Sequence, residues 1–346
     1  MILVIAEKPS VAQSIAKVLG ATSRKDGYME GGNYIVSWCF GHLVELADAS
    51  SYDERYAKWR YDDLPIVPES WMFEVTKDKA QQFKVLSALM KDKRVTELVC
   101  ATDAGREGEL IFRLVYNKAG CTKPFKRLWI SSLEDSAIRE GFNHLRDGKE
   151  YDRLYEAALS RSKADWIVGI NGTRLFTTLY HKKLVVGRVQ TPTLAMLVER
   201  DGKISTFQKE KYFNVHVGKG DLTADLEKVK TEEEAKKIAA ACEKKQAVVS
   251  SLKRETKTVN PPKLYDLTTL QREANRYYGF TAQQTLDLVQ TLYEKKLLTY
   301  PRTDSQFITD DMEDTARQVI SIVCRQLPLF SDISITPDIA RVTDNS

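Results

Sequence analysis

Residues Ile2 to Ala6 form an unbroken apolar run that ends at Glu7. A run this short, apolar at every position, is the pattern of a strand buried on both faces. Pro9 and Ser10 then open a helix. Val11, Ile15, Val18 and Leu19 supply its buried stripe, and Gly20 is placed to end it. The same grammar returns at Glu97. Leu98 to Ala101 read as a buried strand, Gly105 turns the chain, and a helix runs from about Arg106 to Ala119 before Gly120 stops it. Strand–turn–helix units predict a parallel sheet with helices on its faces. Functional groups in such sheets gather at the carboxyl ends of the strands, where Glu7 and Asp103 both fall.

Beyond this α/β region the pattern changes. Tyr151 to Thr178 is helical, and a further helix is expected over Thr193 to Arg200. Residues 203–257 mix alternating strand-like stretches, such as Tyr212 to Val217, with the charged helical run 231–245. Val259-Asn260-Pro261-Pro262 reads as a linker, because paired prolines enforce extended backbone. Two helices follow, about Asp266–Tyr278 and Thr281–Lys295, consistent with a helix-turn-helix or winged-helix unit. The pattern fades from Ser331 on.

A hydrophobic share of 42% and a charged share of 29% exclude wholesale disorder and predict a folded multidomain chain. A net charge of +4 suits a nucleic-acid partner without demanding one. The five cysteines are scattered with no C-x-x-C pair, which argues against a zinc module and a disulfide framework. No apolar stretch approaches the ~20 residues of a membrane helix, and Met1 to Ser10 lacks the pattern of a signal peptide. A cytoplasmic protein with no membrane partner is expected.

Five clusters carry potential chemistry. Glu7, Asp103 and Glu107 could hold Mg²⁺ against a phosphate or relay a proton. Alternatively, Asp103 caps the helix and Glu107 merely favours its N-terminus. Lys8 and Arg106 could hold a phosphodiester beside those acids, or form ordinary surface pairs. In Thr299-Tyr300-Pro301-Arg302, Tyr300 could act as a covalent nucleophile and Arg302 could grip a phosphate; an ordinary X-Pro turn gives the same sequence. Arg188, Gln190 and Thr191 are phosphate- and sugar-contacting types, in what could equally be a loop before a helix. Arg161 and Asp165, spaced i, i+4, could be a plain helical pair.

Taken together, IAEKPSVA (5–12), ATDAGREGE (101–109), GRVQTPTL (187–194) and TYPRTDS (299–305) resemble the type IA DNA topoisomerases. GHLVEL (41–46) and RLWISSL (127–133) make the chain most similar to the bacterial topoisomerase III branch. The resemblance implies a Toprim domain over 1–150, a helical DNA-groove domain over 151–210, the first part of a β-rich arch over 211–260, and the first part of a winged-helix-like domain over 261–346. It implies Tyr300 as nucleophile with Arg302 beside it, and Glu7 and Lys8 at the scissile phosphate. Glu7, Asp103 and Glu107 become the Mg²⁺ ligands, while Arg161, Asp165, Arg188, Gln190 and Thr191 contact DNA. A monomer is implied, acting in the bacterial nucleoid on single-stranded, negatively supercoiled or catenated DNA. No ATP is needed, in keeping with the lack of a G-x-x-x-x-G-K-[ST] loop in the sequence.

Two departures qualify that expectation. The family's D-x-D-x-E reads D-A-G-R-E here, with Gly105 in place of the middle acid and Glu109 as a candidate replacement. Family members also run well past this length, so a truncated chain with impaired strand passage is expected. The alternatives are another Toprim enzyme such as a nuclease, which leaves Tyr300 unused, or a non-catalytic single-strand-binding fragment.

Overall fold

A computed structural model of the chain describes residues 1–346 except 131–132, 247, 296, 304, 309–311, 331–337 and 345–346. The chain divides into two units, Met1–Arg188 with Pro262–Ser346, and Val189–Pro261.

The first unit is built on a seven-stranded sheet. Its strands are β1 (Ile2–Ala6), β2 (Ser23–Lys25), β3 (Tyr28–Gly31), β4 (Tyr34–Trp38), β7 (Glu97–Ala101), β8 (Phe125–Arg127) and β9 (Arg146–Asp147). A separate two-stranded ribbon pairs β5 (Val44–Leu46) with β6 (Phe73–Val75). The seven-stranded order is β2-β3-β4-β1-β7-β8-β9. The four central strands are parallel as expected, whereas β2, β3 and β9 add antiparallel edges. The antiparallel meander follows from tight turns at Gly27 (φ 79°) and Gly32 (φ 56°), too short for a parallel crossover.

Leu3 and Ile5 point to one core, with Leu86, Leu98, Cys100 and Phe112. Val4 and Ala6 point to the other, with Val11, Ile15, Val36 and Val99. That alternation explains why β1 needs apolar residues at every position. The helix α1 (Pro9–Leu19) has proline in its first turn and ends where Gly20 adopts a left-handed φ of 75°. Its buried face is Val11, Ala12, Ile15 and Ala16, with Val18 and Leu19 half-buried.

Five further helices complete this layer: α2 (Ala49–Tyr52), α3 (Ala80–Lys91), α4 (Arg106–Lys118), α5 (Asp135–Asn143) and the long α6 (Asp152–Tyr180). In the second unit, α7 (Gln190–Ser205) starts earlier than expected, because Pro192 fits its first turn. The hairpin of β10 (Phe213–Lys219) and β11 (Leu222–Val229) packs with α8 (Glu232–Cys242) around Val215, Val229 and Ala235. The chain then returns to the first unit as α9 (Leu267–Tyr278), α10 (Ala282–Glu294) and α11 (Glu313–Gln326). Thr281 and Gln284 form a reciprocal capping box at the start of α10. Among the described residues, no helix is long and apolar enough to cross a membrane.

Candidate active site

Two adjacent parallel strands, β1 and β7, release Glu7 and Asp103 side by side at their carboxyl ends. The Asp103 N–H donates to Glu7 Oε2 at 3.4 Å. Burial and the neighbouring Asp103 carboxylate push Glu7 above its ordinary pKa, with Lys8, the Asp103 N–H and His42 pulling the other way. Lys8 sits one residue on, at the N-cap of α1.

After Asp103 the chain turns through Gly105 into α4. Thr102 Oγ1 donates to the Gly108 carbonyl at 2.8 Å. A Cβ at Gly108 would lie 2.2 Å from the Asp103 carbonyl oxygen, so only glycine permits this close approach. Gly105 is different: its φ of 177° is ordinary extended backbone, and a Cβ there would meet nothing within 4 Å.

Glu107 stands exposed in the first turn of α4, its Oε1 2.6 Å from His42 Nε2. Lys79 donates to the His42 carbonyl at 2.9 Å, fixing that loop. The three acids therefore do not form one group: Glu7 lies with Asp103, and Glu107 lies with His42. Among the described residues no three His, Cys, Asp or Glu side chains are grouped to hold a metal ion. The expectation that Glu109 replaces the missing acid is overturned. Glu109 is fully buried, 3.1 Å from Arg127 Nε and 2.8 Å from Arg113 Nε. Two residues are roughly half a helical turn, so Glu107 lies on the exposed face of α4 and Glu109 on the buried one.

Tyr300 arrives from the far end of the chain. Its hydroxyl lies beside the Asp103 carboxylate, and its ring meets Tyr293 edge-on at 5.6 Å. Burial, then Asp103 and Glu7, hold the phenol well above its usual pKa, while Arg302 opposes them. Pro301 is buried and Arg302 exposed. Asp304 lies outside the described residues. Arg106 is exposed beside the acids.

On α6, Arg161 and Asp165 stand 4.0 Å apart, the helical pairing that their spacing allowed. Arg188 joins them, its Nε donating to Asp165 at 2.8 Å. Gln190 and Thr191 are exposed in the first turn of α7, in the other unit.

Three residues escaped sequence reading: His42, Glu109 in its buried role, and Arg127. Arg127 is completely buried and donates to the carbonyls of Cys100, Thr102, Leu128 and Asp103 at 2.6–3.1 Å. Nothing in a one-dimensional pattern marks an arginine as buried.

The family models for the Toprim domain and for DNA topoisomerase match residues 2–133 and 149–335. DNA topoisomerase 3 of Bacillus licheniformis is 46% identical over 323 residues, covering 91% of this chain and 44% of that relative. DNA topoisomerase 3 of Staphylococcus haemolyticus is 46% identical over 320 residues, covering 91% and 45%. Full-length topoisomerase I of Thermotoga maritima superposes with a TM-score of 0.65 at 25% identity, covering 98% of this chain and 58% of that one. The chain thus spans under half the length of these curated relatives. With both family models accounting for nearly all of the sequence, and with these topoisomerase 3 relatives 46% identical, the chain belongs to the type IA DNA topoisomerase family, in its topoisomerase 3-like branch.

Proposed function

We propose that this chain carries the strand-cleavage centre of a type IA topoisomerase, with Tyr300 as the nucleophile on single-stranded DNA. The observation that supports it most is the approach of the Tyr300 hydroxyl to the Asp103 and Glu7 carboxylates, which joins the last motif of the sequence to the acidic one. The domain division expected from sequence stands as part of this proposal, with the groove helices 151–210 and the tyrosine segment 261–346 serving the Toprim acids.

In the proposed reaction the Tyr300 oxygen attacks the phosphorus and displaces the 3′ oxygen of the neighbouring nucleotide. A 5′-phosphotyrosine bond replaces the phosphodiester, the phenol gives up its proton, and the departing 3′ oxygen gains one. Asp103, whose carboxylate lies beside the phenol, is a candidate base for its proton. Lys8, Arg106 and Arg302 are the cations available to the phosphate, and Arg302 opposes the acids that hold the phenol protonated. Resealing reverses these exchanges, so the bond count is conserved without ATP. Arg161, Asp165, Arg188, Gln190 and Thr191 would contact the strand.

Two of the acids, Glu7 and Asp103, are placed together as partial ligands for a divalent cation. Glu7 and Asp103 oppose each other in a half-buried setting, and that repulsion raises Glu7. Hard carboxylate oxygens of this kind are what Mg²⁺ prefers, and it keeps several waters when protein ligands are few. Glu7, Asp103 and Glu107 would hold it, the last after leaving His42. Bound there, the cation would neutralise the acids and offset charge on the phosphate. Relaxation of negative supercoils, decatenation, a monomeric state and action at the bacterial nucleoid are the corresponding proposals for the whole protein.

The test is incubation with end-labelled single-stranded DNA, quenched in detergent, with and without Mg²⁺. A protein-linked 5′ phosphate is expected, and Tyr300→Phe should abolish it. No adduct from the parent chain in any metal would reject the assignment. DNA binding that survives without an adduct would leave a single-strand-binding fragment.

A further inference from the structure

The stretch from Ala47 to β6 runs against α6, and three side chains of that helix fasten it there. Asn171 reads the backbone of Ile66 on both sides, accepting from its N–H at 2.6 Å and donating to its carbonyl at 2.8 Å. Trp166 Nε1 donates to the Ala47 carbonyl at 2.9 Å. Arg174, nearly fully buried, donates to the Tyr56 carbonyl at 2.7 Å. These contacts fix the strap's backbone without covering all its rings. Trp59 remains 41% exposed and Tyr61 58%.

Trp59 is the informative ring. The Arg174 guanidinium lies 5.3 Å from its centroid. A buried, hydrogen-bonded arginine of this kind orients the indole without relying on a mobile side chain. Lys58 and Arg60 flank Trp59 in sequence and are exposed, and no ion pair of theirs is found among the described residues. Arg55, in contrast, is paired with Asp53. A preset aromatic ring with unpaired cations beside it is the arrangement by which proteins stack unpaired bases and track their phosphates. A protein partner would favour a continuous apolar patch, whereas here charged residues separate and flank the rings.

The position supports the same occupant. Arg161 and Asp165 lie on α6, the helix that carries Arg174. From Arg161 to Arg174 is about 20 Å along the axis at 1.5 Å per residue. We propose that the strap's Trp59 and Tyr61 form a base-stacking platform for single-stranded DNA, with Lys58 and Arg60 on its phosphates, engaging the strand some nucleotides away from the cleavage position. This rests on the proposed function, since it takes the same strand as the ligand.

The test is anisotropy of labelled oligothymidylates, one of about 6 and one of about 16 nucleotides, within the range of single-strand site sizes. Trp59→Ala should weaken the long oligonucleotide by roughly 5- to 150-fold, the equivalent of one lost base stack. The short one should be unaffected. Trp59→Phe should retain most of the long-strand affinity and Trp59→Leu should not, which separates stacking from packing. Lys58→Ala and Arg60→Ala should each make the slope of log affinity against log salt shallower by about 0.7. Unchanged long-strand binding in Trp59→Ala, or equal weakening of both lengths, would overturn the platform and leave the cleavage reading standing. Failure of the parent chain to bind either oligonucleotide would overturn both.

Discussion

Arg127→Met tests whether the buried network beneath Asp103 holds the carboxyl end of β7 in place. Arg127 is fully buried, and its guanidinium ends on four backbone carbonyls, those of Thr102 and Asp103 among them. Its Nε lies 3.1 Å from Glu109 Oε2 without the alignment of a hydrogen bond, so that contact acts through charge. Glu109 is buried as well and would keep Arg113 as its counter-charge. Removing one partner of a buried pair costs about 3–5 kcal/mol, because the other charge is left uncompensated. Against a domain stability of about 5–15 kcal/mol, that is a large fraction. At roughly 2–4 °C per kcal/mol for a unit of this size, the melting temperature should fall by about 6–20 °C. The two units need not unfold together, so bulk melting should be paired with hydrogen exchange on peptides covering 97–105. Faster exchange there is expected. The double variant Glu109→Gln with Arg127→Met should recover part of the loss if the orphaned charge dominates, and none if the carbonyl bonds do. A loss below about 1 kcal/mol in Arg127→Met would refute the reasoning.

Three other outcomes follow from the same geometry. Gly108→Ala places a methyl 2.2 Å from the Asp103 carbonyl oxygen; it should cost about 1–3 kcal/mol by denaturation and loosen exchange at Asp103. Glu7 is raised by burial and by Asp103, so the folded chain binds its proton more tightly than the unfolded one. Its contribution is favourable below the ordinary carboxylate range and is lost as pH rises through the raised value, so Glu7→Gln should melt higher than the parent at neutral pH in EDTA and converge with it below pH about 4. A lower melting temperature for that variant at pH 7 would contradict the shift. Gly105→Asp should fold normally, since the backbone is extended and the space open, and should tighten Mg²⁺ binding in calorimetry by adding a carboxylate to the cluster.

Much of the central fold was legible because β1 and β7 are apolar at every position and are punctuated by Pro9, Gly20, Gly105 and Gly120. The helices α9 and α10 were legible too, through Asp266, Thr281 and Gln284 at their starts. The antiparallel edges were not, because β2 and β9 are short and exposed and carry no apolar alternation. Glu109 and Arg127 were misread or missed for a shared reason. Charged side chains are priced as surface residues, and only packing reveals that each supplies the other's counter-charge. His42 sits between β4 and β5, where periodicity says nothing about partners.

The candidate nucleophile shows why separate clusters stay ambiguous until they are placed together. Alone, Tyr300-Pro301 is an ordinary turn and Asp103 an ordinary helix-start acid. Asp103, however, is held from four directions. Arg127 takes its carbonyl, Gly108 lets α4 approach that carbonyl, Glu7 accepts its N–H, and Tyr300 meets its carboxylate. A mere helix cap would not need its backbone fixed by a buried arginine, nor a neighbouring acid that raises the cost of its charge. The arrangement also raises the phenol above its usual pKa, because burial and then the acids beside Tyr300 disfavour its anion. Activation therefore depends on positive charge brought to that spot. Arg302 counters the acids on Tyr300, so Arg302→Gln should slow adduct formation with less effect on DNA affinity, and the reverse pattern would assign Arg302 to strand binding instead.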